Sequence, residues 1–225
     1  MSSADSLASG DSPKGSPQFH VAHHFDKADT QFEANKLGVW LFLVTEILFF
    51  GGLFCAFFIY RSWYFDSFVE AHHHLDKRMG AINTMFLITS SLTMALGVRS
   101  AQRSDKDMTM KMLGATFLFA CAFLVVKYFE YSHKIHEGLL PGKHFHAHGF
   151  TTPHPGMFFA VYFVMTGVHG VHVLVGMGLI AWIFIRNMRG EFSSRYYSPV
   201  EGVGLYWHLV DLIWIYLFPL LYLVG

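Results

Sequence analysis

Five apolar runs, at about residues 37–60, 80–98, 111–130, 157–185 and 203–224, restrict this chain more tightly than any other feature of its sequence. Each is long enough to cross about 30 Å of hydrocarbon as a helix rising 1.5 Å per residue. Inside a bilayer only helices and closed barrels satisfy their own backbone polar groups. A barrel strand would alternate in apolarity at every second residue, and "GATFLFACAFLVV" (114–126) does not. The fold class is therefore all-α: a polytopic membrane protein with five transmembrane helices. The fourth run exceeds what the bilayer needs and predicts a tilted or protruding helix. Short connections predict that successive helices pack as antiparallel neighbours in one bundle.

Composition agrees. The 225 residues are 53% hydrophobic and 14% charged, where a soluble domain carries roughly a quarter charged residues. A formal net charge of zero argues against nucleic acid as a partner. Cys55 and Cys121 sit in apolar runs without CxxC spacing, so neither a thiol redox motif nor a cysteine metal site is expected.

Residues 1–32 read as a polar, flexible N-terminal segment and 33–225 as the transmembrane domain. The first stretch lacks a basic start followed by an apolar stretch and cleavage site, so a removable signal peptide is not expected. "HVAHHF" (20–25) reads as a solvated linker rather than a metal site. Ten basic residues fall on the N-terminal side: Lys14, Lys27, Lys36, Arg99, Arg103, Lys106, Lys111, Arg186, Arg189 and Arg195. Five fall on the other: Arg61, Lys77, Arg78, Lys134 and Lys143. This bias predicts a cytoplasmic N-terminus and a C-terminus on the opposite, periplasmic side.

One carboxylate, Glu46, interrupts "VWLFLVTEILFFGG" (39–52) in the first run. Its position puts it about 13 Å from the inner end, and Asp211 of "YWHLVDLIW" (206–214) lies at nearly the same depth, with His208 shallower. The fourth run descends from outside and carries His169 and His172 into that layer, three residues apart on one face. An isolated charge in lipid is costly, so Glu46 is expected to face other helices, with His169, His172, His208 or Asp211 in its network. The HxxH and HxxD spacings have ligand chemistry suited to iron, zinc or copper. Neither is diagnostic, and a hydrogen-bonded polar core is favoured over a metal centre.

Lys127 and Glu130 of "VVKYFEYSHKIHEG" (125–138) form a second polar face near an outer helix end. Lys127 can snorkel and Glu130 can pair with it, offering a lipid or subunit contact. The outward connection 133–156 contains His133, His136, His144, His146, His148 and His154. Its prolines report turns and a helix start, and the loop reads as solvated or partner-facing rather than metal-binding. "HHHLDKR" (72–78) likewise need not be catalytic. A small transporter would call for repeat symmetry and broken helices, and no such repeat is evident.

Taken in order, "KLGVWLFLVTEILFFGGLFCAFFIYR" (36–61), "INTMFLITSSLTMALG" (82–97), "VVKYFEYSHKI" (125–135), "GVHGVHVLVGMGLI" (167–180) and "YWHLVDLIWIYLFPLLYL" (206–223) closely resemble subunit III of haem–copper respiratory oxidases, in its bacterial five-helix form. The resemblance covers about residues 33–224. It implies a V-shaped helical bundle around a lipid-containing cleft, located in the bacterial inner membrane. It marks Glu46 as the membrane glutamate, Glu130 as the third-span acid, and His169, His172, His208 and Asp211 as polar core positions that support proton uptake. It also implies a noncatalytic chain without bound cofactor, working beside subunits I and II, or their quinol-oxidase equivalents, which hold the haem and copper. Structural phospholipids would be its own ligands. A nitric-oxide-reductase accessory subunit is the related alternative.

Overall fold

In a computed structural model, residues 28–142, 145, 149–194 and 196–224 are described. The tail 1–18, the "HVAHHF" stretch and His144, His146 and His148 of the outer loop lie outside these residues. Helix α1 spans Ala28–Trp63, α2 Phe65–Ala71, α3 Lys77–Gln102, α4 Lys106–His136, α5 Pro155–Met188 and α6 Ser198–Phe218. A 3-10 turn, His72–His74, follows α2, and a π-helical turn, Pro219–Val224, ends the described chain. Five of these helices are long and apolar enough to cross a membrane, making this a multi-pass membrane protein.

Each long helix outruns its apolar run because polar residues can extend a helix into the interface. Asp76 begins α3 by accepting hydrogen bonds from the Arg78 and Met79 amides, and Asp105 begins α4 by accepting from Met108. Pro155 and Pro199 occupy the first turns of α5 and α6, where a missing N–H costs nothing. Helix α5, with 34 residues, is about 50 Å long and exceeds the hydrocarbon thickness as its sequence predicts.

Successive-neighbour packing holds for α3–α4, α4–α5 and α5–α6 but not for the first two long helices. Helix α1 stands at the edge, packed on α6, α5 and α2. The segment between α1 and α3 is the reason: it folds as α2 and the 3-10 turn, and α2 packs on α5 instead of closing a tight hairpin.

Close approach of α5 and α6 depends on Gly176, where an added Cβ would lie 2.7 and 2.8 Å from the Trp207 ring. At one end of the bundle, the α3–α4 and α5–α6 turns are sewn together. Lys106 donates to the Met188 carbonyl (2.7 Å), Asn187 to the Lys106 carbonyl (3.0 Å), and the Ser194 amide to Ser104 Oγ (2.7 Å). That last bond gives Ser104 a role at a left-handed φ of 58°, which usually favours glycine.

At the opposite end of the bundle Glu70 of α2 accepts four hydrogen bonds, from the amide and hydroxyl of both Thr151 and Thr152, at 2.7–3.0 Å. The Thr151 amide and Thr152 hydroxyl lead these bonds in holding the carboxyl at about 2, below its usual 4.5. His72, buried beside this clasp and 4.0 Å ring to ring from His73, is held below the usual imidazole range by burial and then by that neighbour.

Two outcomes are expected. Gly176→Ala should destabilise the fold by about 1–3 kcal/mol through overpacking against Trp207, whereas Gly178→Ala, with nothing within 4 Å, should not; thermal unfolding of the membrane-embedded protein measures both. Because the folded-state pKa of Glu70 is depressed, its clasp contributes fully above pH 4.5 and is lost as pH falls towards 2. Exchange protection of the Thr151 and Thr152 amides, corrected for intrinsic rates, should follow that window and be absent in Glu70→Ala.

Candidate functional site

Glu46 is tolerated in its apolar helix because α5 brings a histidine to it. Glu46 Oε2 lies 3.0 Å from His172 Nε2. The other ring nitrogen, Nδ1, is 2.8 Å from the Val168 carbonyl, which can only accept, so Nδ1 carries a proton. The Nε2–Oε2 contact then requires one further proton, held either on the imidazole or on the carboxyl. The pair is a proton-holding unit by its hydrogen-bond geometry alone. Phe50 packs edge-on against His172 at 4.9 Å, and Tyr206 of α6 donates to the His172 carbonyl at 3.0 Å. Beside the pair, towards the N-terminal end of α1, a cavity of about 400 Å³ opens between α1, α5 and α6, lined by Val39, Phe42, Val175, Leu179, Trp182 and Tyr206 among others.

The remaining polar positions expected in the Glu46 network are elsewhere. His208 Nδ1 bonds Ser91 Oγ of α3 at 2.7 Å. Asp211 is buried on the same α3–α6 seam, close to Ser90 and Ser91 but without a well-formed hydrogen bond to either. His169 is enclosed between Phe123 of α4 and Trp214 of α6, with ring centroids 5.8 and 5.1 Å away. His169 and His172 separate because three residues turn a helix to within about 60° of its starting direction. That offset sends one ring to α1 and the other into the α4–α6 interior. Sequence depth was shared; direction was not.

The Lys127–Glu130 pairing is present at 3.0 Å, but Lys127 does not snorkel. It is 8% exposed, and Glu130 and Lys134 are each 2% exposed. Lys127 Nζ also donates to Tyr222 (2.9 Å) and Tyr162 (3.3 Å) and lies 4.6 Å over the Trp214 ring. Glu130 Oε1 accepts from Tyr222 (2.6 Å) and Tyr162 (2.9 Å), with Lys134 Nζ at 3.6 Å. Snorkelling fails because these phenols and the acid supply inside the bundle what water supplies at its rim. Lys134 was legible from its i+4 spacing to Glu130. Tyr162 and Tyr222 gave no local signal, since they arrive from α5 and the terminal turn.

Of the outer histidines, His133 is exposed and 3.1 Å from Glu137, and His154 packs on Tyr64. Among the described residues, no three His, Cys, Asp or Glu side chains gather as a metal site.

Glu130→Gln should destabilise the subunit by about 3–5 kcal/mol by leaving Lys127 buried without its anion, while the double variant Lys127→Met/Glu130→Gln should lose less than that. Tyr222→Phe should cost about 1.5–3 kcal/mol for its bonds to charged partners. Thermal unfolding of the membrane-embedded protein reads all three, and equal losses for the single Glu130 and double variants would contradict the ion-pair account.

Comparison with known proteins now has a geometry to meet. The cytochrome c oxidase subunit III family matches residues 20–225. A cytochrome c oxidase subunit 3 from Synechocystis is 35% identical over 193 residues, covering 85% of this chain and 76% of that protein. A probable quinol oxidase subunit 3 from Staphylococcus haemolyticus is 27% identical over 208 residues, 92% of this chain and 96% of that one. A haem–copper oxidase subunit I+III from Aeropyrum pernix is 30% identical over 201 residues, which are 86% of this chain but 23% of that longer protein. Agreement of helix number, residue order and near-complete coverage leads to one conclusion: the chain belongs to the cytochrome c oxidase subunit III family, noncatalytic membrane subunits of haem–copper oxidases.

Proposed function

We propose that this chain is subunit 3 of a proton-pumping cytochrome c oxidase of the bacterial inner membrane, supporting proton uptake and the stability of the catalytic core. Oxygen is reduced to water at haem and copper held by partner subunits I and II. The Aeropyrum relative, whose name joins subunits I and III, supports that association. The Staphylococcus relative supports a quinol oxidase as the second reading.

The observation that carries the proton-support role is the Glu46–His172 contact with Nδ1 tied to a carbonyl. A group that holds one shareable proton at mid-depth can take it from one neighbour and pass it to another without leaving a bare charge in lipid. Glu46 is not the base for oxygen chemistry; it stores and orients. Lys127 and Glu130 brace the bundle in this reading, and a structural phospholipid occupies the apolar cavity beside the Glu46–His172 pair. His169, His208 and Asp211 form the polar core proper to α3–α6.

The topology proposal puts the N-terminus in the cytoplasm and the C-terminus in the periplasm, following the basic-residue bias. Cysteines introduced at the two tails should label from opposite sides of the membrane; labelling from one side would overturn it. For the proton role, Glu46→Gln and Glu46→Ala are expected to retain haem content. Gln should keep the contact to His172 and largely preserve subunit retention, with Ala disturbing packing more. Both should lower sustained oxygen consumption and proton translocation. If assembled variants equal the parent in retention, respiration and translocation over long turnover, Glu46 has no required part in proton support.

A further inference from the structure

Among the described residues, three side chains in the bundle interior present polar atoms without a well-formed hydrogen bond to the protein. They are both carboxylate oxygens of Asp211, both ring nitrogens of His169 and both amide atoms of Asn83. Asp211 is 2% exposed and the other two are fully enclosed. Their helices are α6, α5 and α3, and Trp214 links them. Its ring lies 5.1 Å from His169, and its Nε1 donates at 3.1 Å to Thr84, the residue after Asn83. Asp211 sits three residues before Trp214, one turn towards the N-terminal end of α6. The Trp214–Thr84 and Trp207–Ser90 bonds fix the antiparallel register of α3 and α6 and bracket Asp211 between them. Asn83 lies on the same buried stripe of α3 as Leu87 and Ser90.

Of the serines beside Asp211, Ser90 has its proton committed, while the direction of the Ser91–His208 bond follows the imidazole tautomer. Ser90 donates to the Leu87 carbonyl at 2.7 Å and accepts from Trp207 at 3.0 Å, and Ser91 bonds His208 at 2.7 Å. A buried polar group left without a partner costs about 1–3 kcal/mol, and folded proteins keep few of them. Six such atoms on three neighbouring helices, in a bundle surrounded by lipid, call for a guest. The guest must donate to a carboxylate, match either tautomer of an imidazole, and both donate to and accept from an amide. It must also fit between close-packed helices. Water meets all of these demands.

We propose that Asp211, His169 and Asn83 bind internal water between α3, α5 and α6. The layer lies beside Lys127, which rests on the same Trp214 ring, so this water extends the polar column of Glu130 and Lys127 towards His208. The inference does not depend on the proton-support role of Glu46, which belongs to a different helix contact.

Electron cryomicroscopy of the purified complex containing this chain, at a resolution that displays ordered water, is the test. Density within hydrogen-bond distance of Asp211 and of His169 or Asn83 is expected. Unpaired atoms without such density, or side chains bonded to one another or to the serines, overturn the proposal. Thermal retention of the subunit gives a second reading with opposite signs. In a dry layer Asp211→Leu and Asn83→Leu remove unpaired groups and raise the dissociation temperature. In a hydrated layer they strand their neighbours and lower it, with Asp211→Asn close to the parent. Density in the unaltered complex decides the matter even where a leucine variant does not assemble.

Discussion

Glu130 gathers the half of the bundle next to the α4–α5 connection. Its carboxylate takes donors from Lys127 on its own helix, from Tyr162 on α5 and from Tyr222 in the terminal turn, with Lys134 close by. None of these groups could stand alone in hydrocarbon, where an unpaired charge or hydroxyl is costly. Together they satisfy one another, and that mutual need fixes the relative rotation of α4, α5 and the end of α6. Pro219 contributes by denying the terminal segment a continuing α-helix, and the π-helical turn that follows carries Tyr222 back over the acid.

The other half is held by different means. Small residues let helices approach, as Gly176 does for Trp207, and indole N–H groups then reach across the seam to hydroxyls of α3. Association of helices in lipid relies on this kind of packing and bonding, because apolar surface gains little by leaving a hydrocarbon solvent. At the end of α5 Arg186 pairs with Glu191 and lies over Trp182, Phe192 and Tyr196, so the α5–α6 connection is folded around a cation.

Helix α1 is attached more lightly, and the proton-holding pair sits at that attachment. Glu46 reaches His172 across a seam that also opens into an apolar cavity of about 400 Å³. The proposed proton-support role puts that exchange on a boundary beside the cavity. Placing a carboxylate there also ties α1 to α5, so the same contact serves position and chemistry.

Hydropathy alone determined the class, the five spans and the order of their polar residues, because lipid imposes a length and a composition on any helix that crosses it. The ordered motifs determined the family. Linear spacing also placed Glu46, His169, His172, His208 and Asp211 in neighbouring layers, since depth along a helix is proportional to residue number. Direction around each helix was decided only by tertiary structure. Helical rotation and the edge position of α1 gave Glu46 to His172 alone, sent His169 to Trp214, and left Asp211 on the α3 seam. Lys127 turned inward for the same reason: its partners Tyr162 and Tyr222 are distant in sequence, and no local pattern reveals a phenol that arrives from another helix.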